Sequence, residues 1–315
     1  MPGCAALVLV LALVACNAEA ETPVPRVTDL EWETLAPMPT PRTEVAAAAV
    51  SGRIVVVGGF ASAGTVGTTE VYDVAADAWS AGPDLPVAVN HAMATSFEDE
   101  AYVFGGTLGD GAISDAAFVL SDGAWEPLPL MPEPRTAGGA AVAGGLIHVV
   151  GGVGPEGVAE RTLVFDPEAG RWSVTEGLGR PREHMGVAAF DERVYAVGGR
   201  AGSLAGFGDV EVLDPRTGSW SPLPDLPTPR GGMAAAATSN GFVVAAGGEE
   251  EGGTFHEVEA FDVEAERWVA LPPMPTARHG LGVVAIGTTM YVIAGGVDPG
   301  LSFSGAVEAI DLARL

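Results

Sequence analysis

The chain has 315 residues with 41 acidic against 15 basic side chains, a formal net charge of -26, which excludes a nucleic-acid binder because phosphate contacts need clustered basic charge. Hydrophobic residues make up 48% of it, enough for a sizeable core, while 44 glycines and 24 prolines call for repeated tight turns rather than disorder. The two cysteines, Cys4 and Cys16, stand at the N-terminus, so no disulfide, thiolate metal site or cysteine nucleophile is expected downstream.

From Ala5 to Ala15 the chain is an unbroken apolar run of eleven residues. That is too short to span a bilayer, which takes about 20, but it suits the hydrophobic region of an export signal. The run ends in Leu13-Val14-Ala15-Cys16, which resembles a bacterial lipobox. The resemblance implies residues 1–15 as a lipoprotein-type signal peptide and Cys16 as an acylated mature N-terminus. No lysine or arginine precedes the run, and small residues at Ala18 and Ala20 also permit ordinary secretory cleavage. Residues 16–30, with Pro23, Pro25 and several acids, are expected to form a flexible tether. The protein is thus expected to be exported and lipid-anchored in the bacterial cell envelope, or else secreted, and to meet the membrane only through that lipid.

From Trp32 onward one pattern recurs. Glycine pairs follow an apolar run at Gly58-Gly59, Gly105-Gly106, Gly151-Gly152, Gly198-Gly199, Gly247-Gly248 and Gly295-Gly296. The six tryptophans Trp32, Trp79, Trp125, Trp172, Trp220 and Trp268 keep the same beat, 46 to 48 residues apart. A period of this length means a solenoid, propeller or array. Within one period, segments such as Thr162 to Phe165, Trp172 to Thr175, Met185 to Phe190 and Val194 to Val197 each suit a strand, which makes four strands per repeat. The alanines at 46–49 fit an innermost strand, where crowding near an axis favours small side chains.

The double glycine after Tyr-Val-Phe (102–104) or Tyr-Ala-Val (195–197), followed by Val-Glu-Val-Leu-Asp (210–214) and then Trp220, resembles the kelch repeat over residues 31–315. The fold expected is therefore all-β, a six-bladed kelch-type β-propeller with four antiparallel strands per blade. The last repeat ends at Leu315 without a tryptophan strand, so the segment from Glu31 to Leu35 should complete blade six and close the ring. From tryptophan to the next glycine pair is 26 residues in the earlier blades and 27 in blades five and six, which suggests a β-bulge in each.

Meander geometry sends the second-to-third loops and the interblade connections to one face, where loops on a rigid scaffold are the usual place for binding residues. That face is expected to carry Arg42, Arg135, Arg182, Arg230 and Arg278. Two readings stay open for them: bonds to carbonyl or carboxylate oxygens of a neighbouring blade, or convergence on an anionic ligand. Blade two breaks the rule with Val89, then Asn90 and His91; His184 lies two residues after Arg182, and His279 follows Arg278 directly. His91, His184 and His279 can bind a ligand or move a proton, or can cap inner strands. Arg200 follows a glycine pair, and Glu249-Glu250-Glu251 stands at the same place in blade five, either as a solvated loop or as a cation site. His148 replaces a tyrosine and is assigned to packing. Asp73, Asp166, Asp214 and Asp262 recur six residues before tryptophan and belong to hairpin turns on the opposite face.

The resemblance also implies three function classes. A copper-dependent sugar oxidase of this family needs a tyrosine joined to a cysteine, and no cysteine follows Cys16. Exported six-bladed relatives interconvert sialic-acid anomers and need carboxylate, histidine or arginine near the channel mouth. A non-enzymatic propeller asks only for loops on a ring, and it is the expected function: a binding module for a protein or glycan, monomeric, with no cofactor and no metal site.

Overall fold

The computed structural model describes residues 24–315. All regular structure in it is β-strand: six four-stranded antiparallel sheets form the blades, and four two-stranded ribbons accompany them. Blade one runs Ala46–Val50, Arg53–Val57, Thr69–Asp73 and Ala78–Ala81, from the axis outward. Blade six takes Gly282–Ile286, Thr289–Ile293 and Val307–Asp311 from the C-terminal end of the chain and Trp32–Thr34 from its other end. Trp32 pairs with Ile310, Glu33 with Ala309 and Thr34 with Glu308, so the seam is closed as the sequence predicts.

The core is six layers, one at each blade interface. Between blades five and six, Val244, Ala246 and Val258 meet Val283, Met290, Val292 and Ile310. Between blades two and three, Tyr102, Phe104 and Val119 meet Ile147, Val149, Leu163 and Phe165. Innermost strands are lined by small residues, Ala47 to Ala49, Ala140-Ala141, Ala188-Ala189 and Ala235 to Ala237, around a channel cavity of about 280 Å³. The indoles tie blades together. Nε1 of Trp32, Trp79, Trp125, Trp172 and Trp268 donates to the carbonyls of Pro272, Ala36, Pro83, Pro129 and Pro224 at 2.8–2.9 Å.

The glycine pairs do a related job. The second glycine's N–H donates to a carbonyl at the arginine position of the next blade: Gly106 to Arg135, Gly152 to Arg182, Gly199 to Arg230, Gly248 to Arg278. A Cβ at Gly105 would stand 2.1 Å from the Arg135 carbonyl oxygen, at a φ of +59°, so both the close approach and the backbone demand glycine there.

Two sequence expectations change, and a third is located. Residues 24–30 are not a free tether: the Val27 N–H donates to Ala270, the Ala270 N–H to Pro25, and Leu30 is buried in the core between blades five and six. The segment adds itself to the outer strand of blade five because that edge has unpaired backbone groups and an apolar neighbour. The extra residue of blade five lies in its first hairpin, as a glycine bulge: the Thr238 N–H bonds the Phe242 carbonyl and the Gly241 N–H returns to Thr238, with Gly241 at a φ of 92°. Blade six has no extra residue. Ala294 (φ 59°) and Gly295 (φ 98°) take the conformations of Gly58 and Gly59, and the Gly295 N–H reaches the Arg42 carbonyl, so Gly295-Gly296 is displaced by one from the true pair. Residues 1–23, with the expected signal peptide and Cys16, lie outside the described residues.

Candidate functional site

Each blade's innermost strand is preceded by a short segment that crosses the loop face, and the arginine ring lies there. Arg42, Arg135, Arg182, Arg230 and Arg278 are fully buried. Each holds its own blade, not a neighbour's. Arg230 donates through Nε to the Gly247 carbonyl at 2.7 Å and through Nη1 to the Thr228 carbonyl at 2.7 Å and Glu259 Oε2 at 2.5 Å. Arg42, Arg182 and Arg278 pair in the same way with Glu70, Glu211 and Glu308 of their third strands. In blade three Leu163 occupies that glutamate position, and Arg135 pairs with Glu133 instead, at 3.0 Å. Blade two has Val89 for the arginine, and Phe118 stands where the glutamate would be. Both partners are missing together, as an architectural pair requires. These five arginines do not face an open site: each guanidinium is fully buried against carbonyls and a carboxylate of its own blade, although Nε of Arg42, Arg135 and Arg278 has no acceptor.

Two residues past the arginine position the chain turns toward the axis. The six residues there are Glu44, His91, Ala137, His184, Gly232 and Gly280, and all have left-handed backbone, φ between 51° and 71°. Their backbones form a ring of hydrogen bonds: His91 N–H to Glu44, Ala137 to His91, His184 to Ala137, Gly232 to His184 and Gly280 to Gly232, at 2.8–3.0 Å. Val45 N–H to Gly280 closes it at 3.4 Å. Glycine is the residue this conformation favours, and an L residue in it costs about 1–2 kcal/mol. Glu44, His91 and His184 nevertheless hold it, on one cavity of about 130 Å³ at the channel mouth. Full side chains kept in a strained conformation mark a functional position.

These three side chains touch. His91 Nε2 is 3.2 Å from Glu44 Oε2, and the two imidazoles meet edge-to-face with centroids 4.9 Å apart. His184 Nδ1 lies against the Glu183 carboxylate. Glu44, His91 and His184 offer ligand atoms within 4.8 Å of one another, so a metal-competent cluster stands where the sequence suggested none. Burial pushes the Glu44 carboxyl up, but the His91 charge and a hydrogen bond from His279 outweigh it and hold the group well below the usual carboxylate range. Burial drives His184 down to about 3, against the pull of Glu44.

His279 and Arg200 form a second layer around this mouth. His279 is 1% exposed; its Nδ1 is 3.3 Å from Glu44 Oε1 and its Nε2 3.1 Å from the Asp298 carbonyl. Burial lowers its pKa, but Glu44 and Glu249 outweigh that and raise it above the ordinary value. Arg200 donates to Glu249 Oε1 at 2.8 Å and lies 3.6 Å from Glu183 Oε1. Neither side chain is open to a ligand, so of the histidines and arginines singled out in the sequence only His91 and His184 face the cavity. Glu249, expected in a solvated loop or cation site, is buried and paired. His148 is buried in packing. Sequence reasoning missed Glu44 and Glu183. Glu44 sits at the same offset from Arg42 as His184 from Arg182, which was the available signal.

The family model for the KLHDC2/KLHL20/DRC7 kelch-repeats domain matches residues 90–296, and a kelch motif model matches residues 41–86. The chain belongs to the kelch-repeat family. This kelch propeller is 28% identical over 219 residues to the Kelch-like protein terF of Aspergillus terreus, covering 60% of the chain and 47% of that protein. It is 28% identical over 172 residues to Kelch-like protein 41a of Danio rerio, covering 53% and 29%. It is 26% identical over 203 residues to alpha-scruin of Limulus polyphemus, covering 58% and 22%. The chain thus spans less than half the length of each of these relatives.

Proposed function

We propose that this kelch propeller is a binding module, held at the cell envelope through Cys16, that docks a protein partner on its loop face. Kelch propellers are typically protein-interaction modules, and the arrangement of exposed apolar residues carries the assignment to this face. Four large hydrophobic side chains stand exposed among the described residues: Leu130, Val174, Val297 and Leu301. Val297 and Leu301 lie in the second-to-third loop of blade six, and Leu130 in an interblade connection whose next residue, Met131, bonds Asp115 of the adjoining loop. Three of the four therefore share the face that carries the mouth, and Leu301 is 71% exposed. An apolar rim around a charged centre is the anatomy of an interface that takes both area and a specific polar contact. The opposite face offers short hairpin turns, capped by Asp73 on Ala76, Asp166 on Ala169 and Asp262 on Ala265.

Cross-linking of the full chain at the cell surface, followed by mass spectrometry, tests this. A protein captured by the natural chain should be lost with Leu301→Glu and kept with Arg216→Glu on the other face. Binding on a glycan array with no protein captured, or equal capture by both variants, refutes a protein partner on this face. An acylated Cys16 in the mature N-terminal peptide supports the anchor; an unmodified peptide starting after Ala18 or Ala20 removes it.

A further inference from the structure

We propose that Glu44, His91 and His184 form a divalent transition-metal site at the channel mouth, of the two-histidine, one-carboxylate kind, that takes Zn2+ with a coordination position open to the lumen. The proposal stands whether or not a protein covers this face.

The outer contacts support it. Asn90 Nδ2 donates to Thr65 Oγ1 at 2.8 Å and to the Thr107 carbonyl at 3.1 Å, which fixes the amide so that its Oδ1 faces His91 Nδ1, 2.5 Å away. In the neutral ring an acceptor at Nδ1 puts the proton there and leaves the Nε2 lone pair free, and Nε2 is the atom beside Glu44. In blade four the Glu183 carboxylate lies against His184 Nδ1, with Arg200 beside it and the Gly202 N–H donating to it at 3.3 Å. Metal-bound histidines show such an outer-shell oxygen at the ring nitrogen that does not bind the ion.

The carboxylate is prepared likewise. His279 lies against Glu44 Oε1, which leaves Oε2 toward His91. Bonds of about 2.0–2.2 Å to nitrogen and oxygen put neighbouring ligand atoms of a tetrahedral zinc about 3.4 Å apart. The 3.2 Å between His91 Nε2 and Glu44 Oε2 meets that separation, and the widest gap in the cluster, within 4.8 Å, closes by small side-chain rotations. Imidazole and carboxylate together suit Zn2+ rather than a hard cation such as Ca2+ or Mg2+, which prefers oxygen throughout. The ring positions opposite, Gly232 and Gly280, carry no side chain, and Ala137 carries only a methyl. Nothing from these three blades fills the fourth position, so an exogenous donor group can reach it.

The test is a zinc titration of the full chain, stripped with EDTA, against a chromophoric chelator, with Co2+ as a spectroscopic probe. One zinc per chain is expected, with visible Co2+ bands of a four- or five-coordinate ion that change when azide is added. Glu44→Gln and the double variant His91→Asn/His184→Asn should lower affinity at least 100-fold; asparagine is used because it tolerates the left-handed backbone. Glu183→Gln, which removes no ligand, should lower it about 10–100-fold and leave the melt of the metal-free protein little changed. Absence of stoichiometric zinc binding at micromolar concentration, or affinity unaltered in the double variant, overturns the site.

Discussion

Replacing Arg230 with alanine should be among the most destabilising single changes on the loop face. The guanidinium is fully buried and its removal strips Glu259, which is 4% exposed, of its charged partner and leaves it only the Thr228 hydroxyl at 2.8 Å. Breaking a buried pair from one side costs about 3–5 kcal/mol, because the remaining charge stays desolvated. The carbonyls of Gly247 and Thr228, each at 2.7 Å from a guanidinium nitrogen, lose a donor as well, at about 1 kcal/mol apiece. A loss of about 5–7 kcal/mol is expected, which at about 2 °C per kcal/mol for a chain of this size lowers the melting temperature by about 10–14 °C. Thermal unfolding followed by circular dichroism reads it. Adding Glu259→Gln to Arg230→Ala should recover part of the loss, since the stranded charge is gone. Arg216→Ala, whose guanidinium is 83% exposed beside Asp214, should leave the melt unchanged. A shift under about 2 °C for Arg230→Ala would show that water or neighbouring groups compensate Glu259, and would reject the ring as architecture.

Stability should peak near pH 6.5 and fall on both sides for different reasons. His184, whose pKa is lowered on folding, costs stability as the pH falls from 6.5 toward 3, because the unfolded chain takes the proton first, with a slope of at most about 1.4 kcal/mol per pH unit. His279, whose pKa is raised, contributes below 6.5 and loses that contribution as the pH rises through its folded value. Urea midpoints should therefore flatten between pH 5 and 6.5 in His184→Asn and above 6.5 in His279→Asn; an unchanged slope in either removes that residue from the account. Gly105→Ala should cost more than about 3 kcal/mol, as the new Cβ meets the Arg135 carbonyl, whereas Gly123→Ala, with equal left-handed strain but nothing within 4 Å, should cost about 1 kcal/mol. Equal urea midpoints would show that interblade contact is not what Gly105 serves. Deleting residues 31–36 removes Trp32 with its bond to Pro272 and should lower the melt by about 6 °C or more; an unchanged calorimetric transition would reject closure by this strand.

The ring was legible because it repeats. Glycine pairs and tryptophans recur for backbone and packing reasons that act identically in every blade, so six copies of a weak signal make one strong one. The site was legible only in part because it is where the copies differ. His91 and His184 stand out as rare residue types at one offset, but Glu44 at the same offset looks like one of 41 acids in an acidic chain. Glu183 and Glu249 meet Arg200 through bridges to residues after the glycine pairs, Glu183 to Arg200 and Gly231 to Glu249, and no local pattern announces those pairings. The arginines misled for the opposite reason: a charged residue recurring on a loop face suggests a surface, yet Glu70, Glu211, Glu259 and Glu308 draw four of the five inside. The tether expected up to residue 30 failed because polarity and proline content say nothing about an unpaired strand edge elsewhere in the fold.

The ring of backbone hydrogen bonds at the channel mouth needs no particular side chain at any of its six positions. Five of the six amides bond the carbonyl of the preceding blade, Val45 making the sixth bond beside Glu44, and across the ring the positions hold residues as different as glycine, alanine, glutamate and histidine. The six positions therefore act as interchangeable sockets around one lumen. Recognition chemistry can be rewritten one socket at a time, at a conformational cost confined to that residue, while the arginines, glycine pairs and indoles beneath keep the frame unaltered.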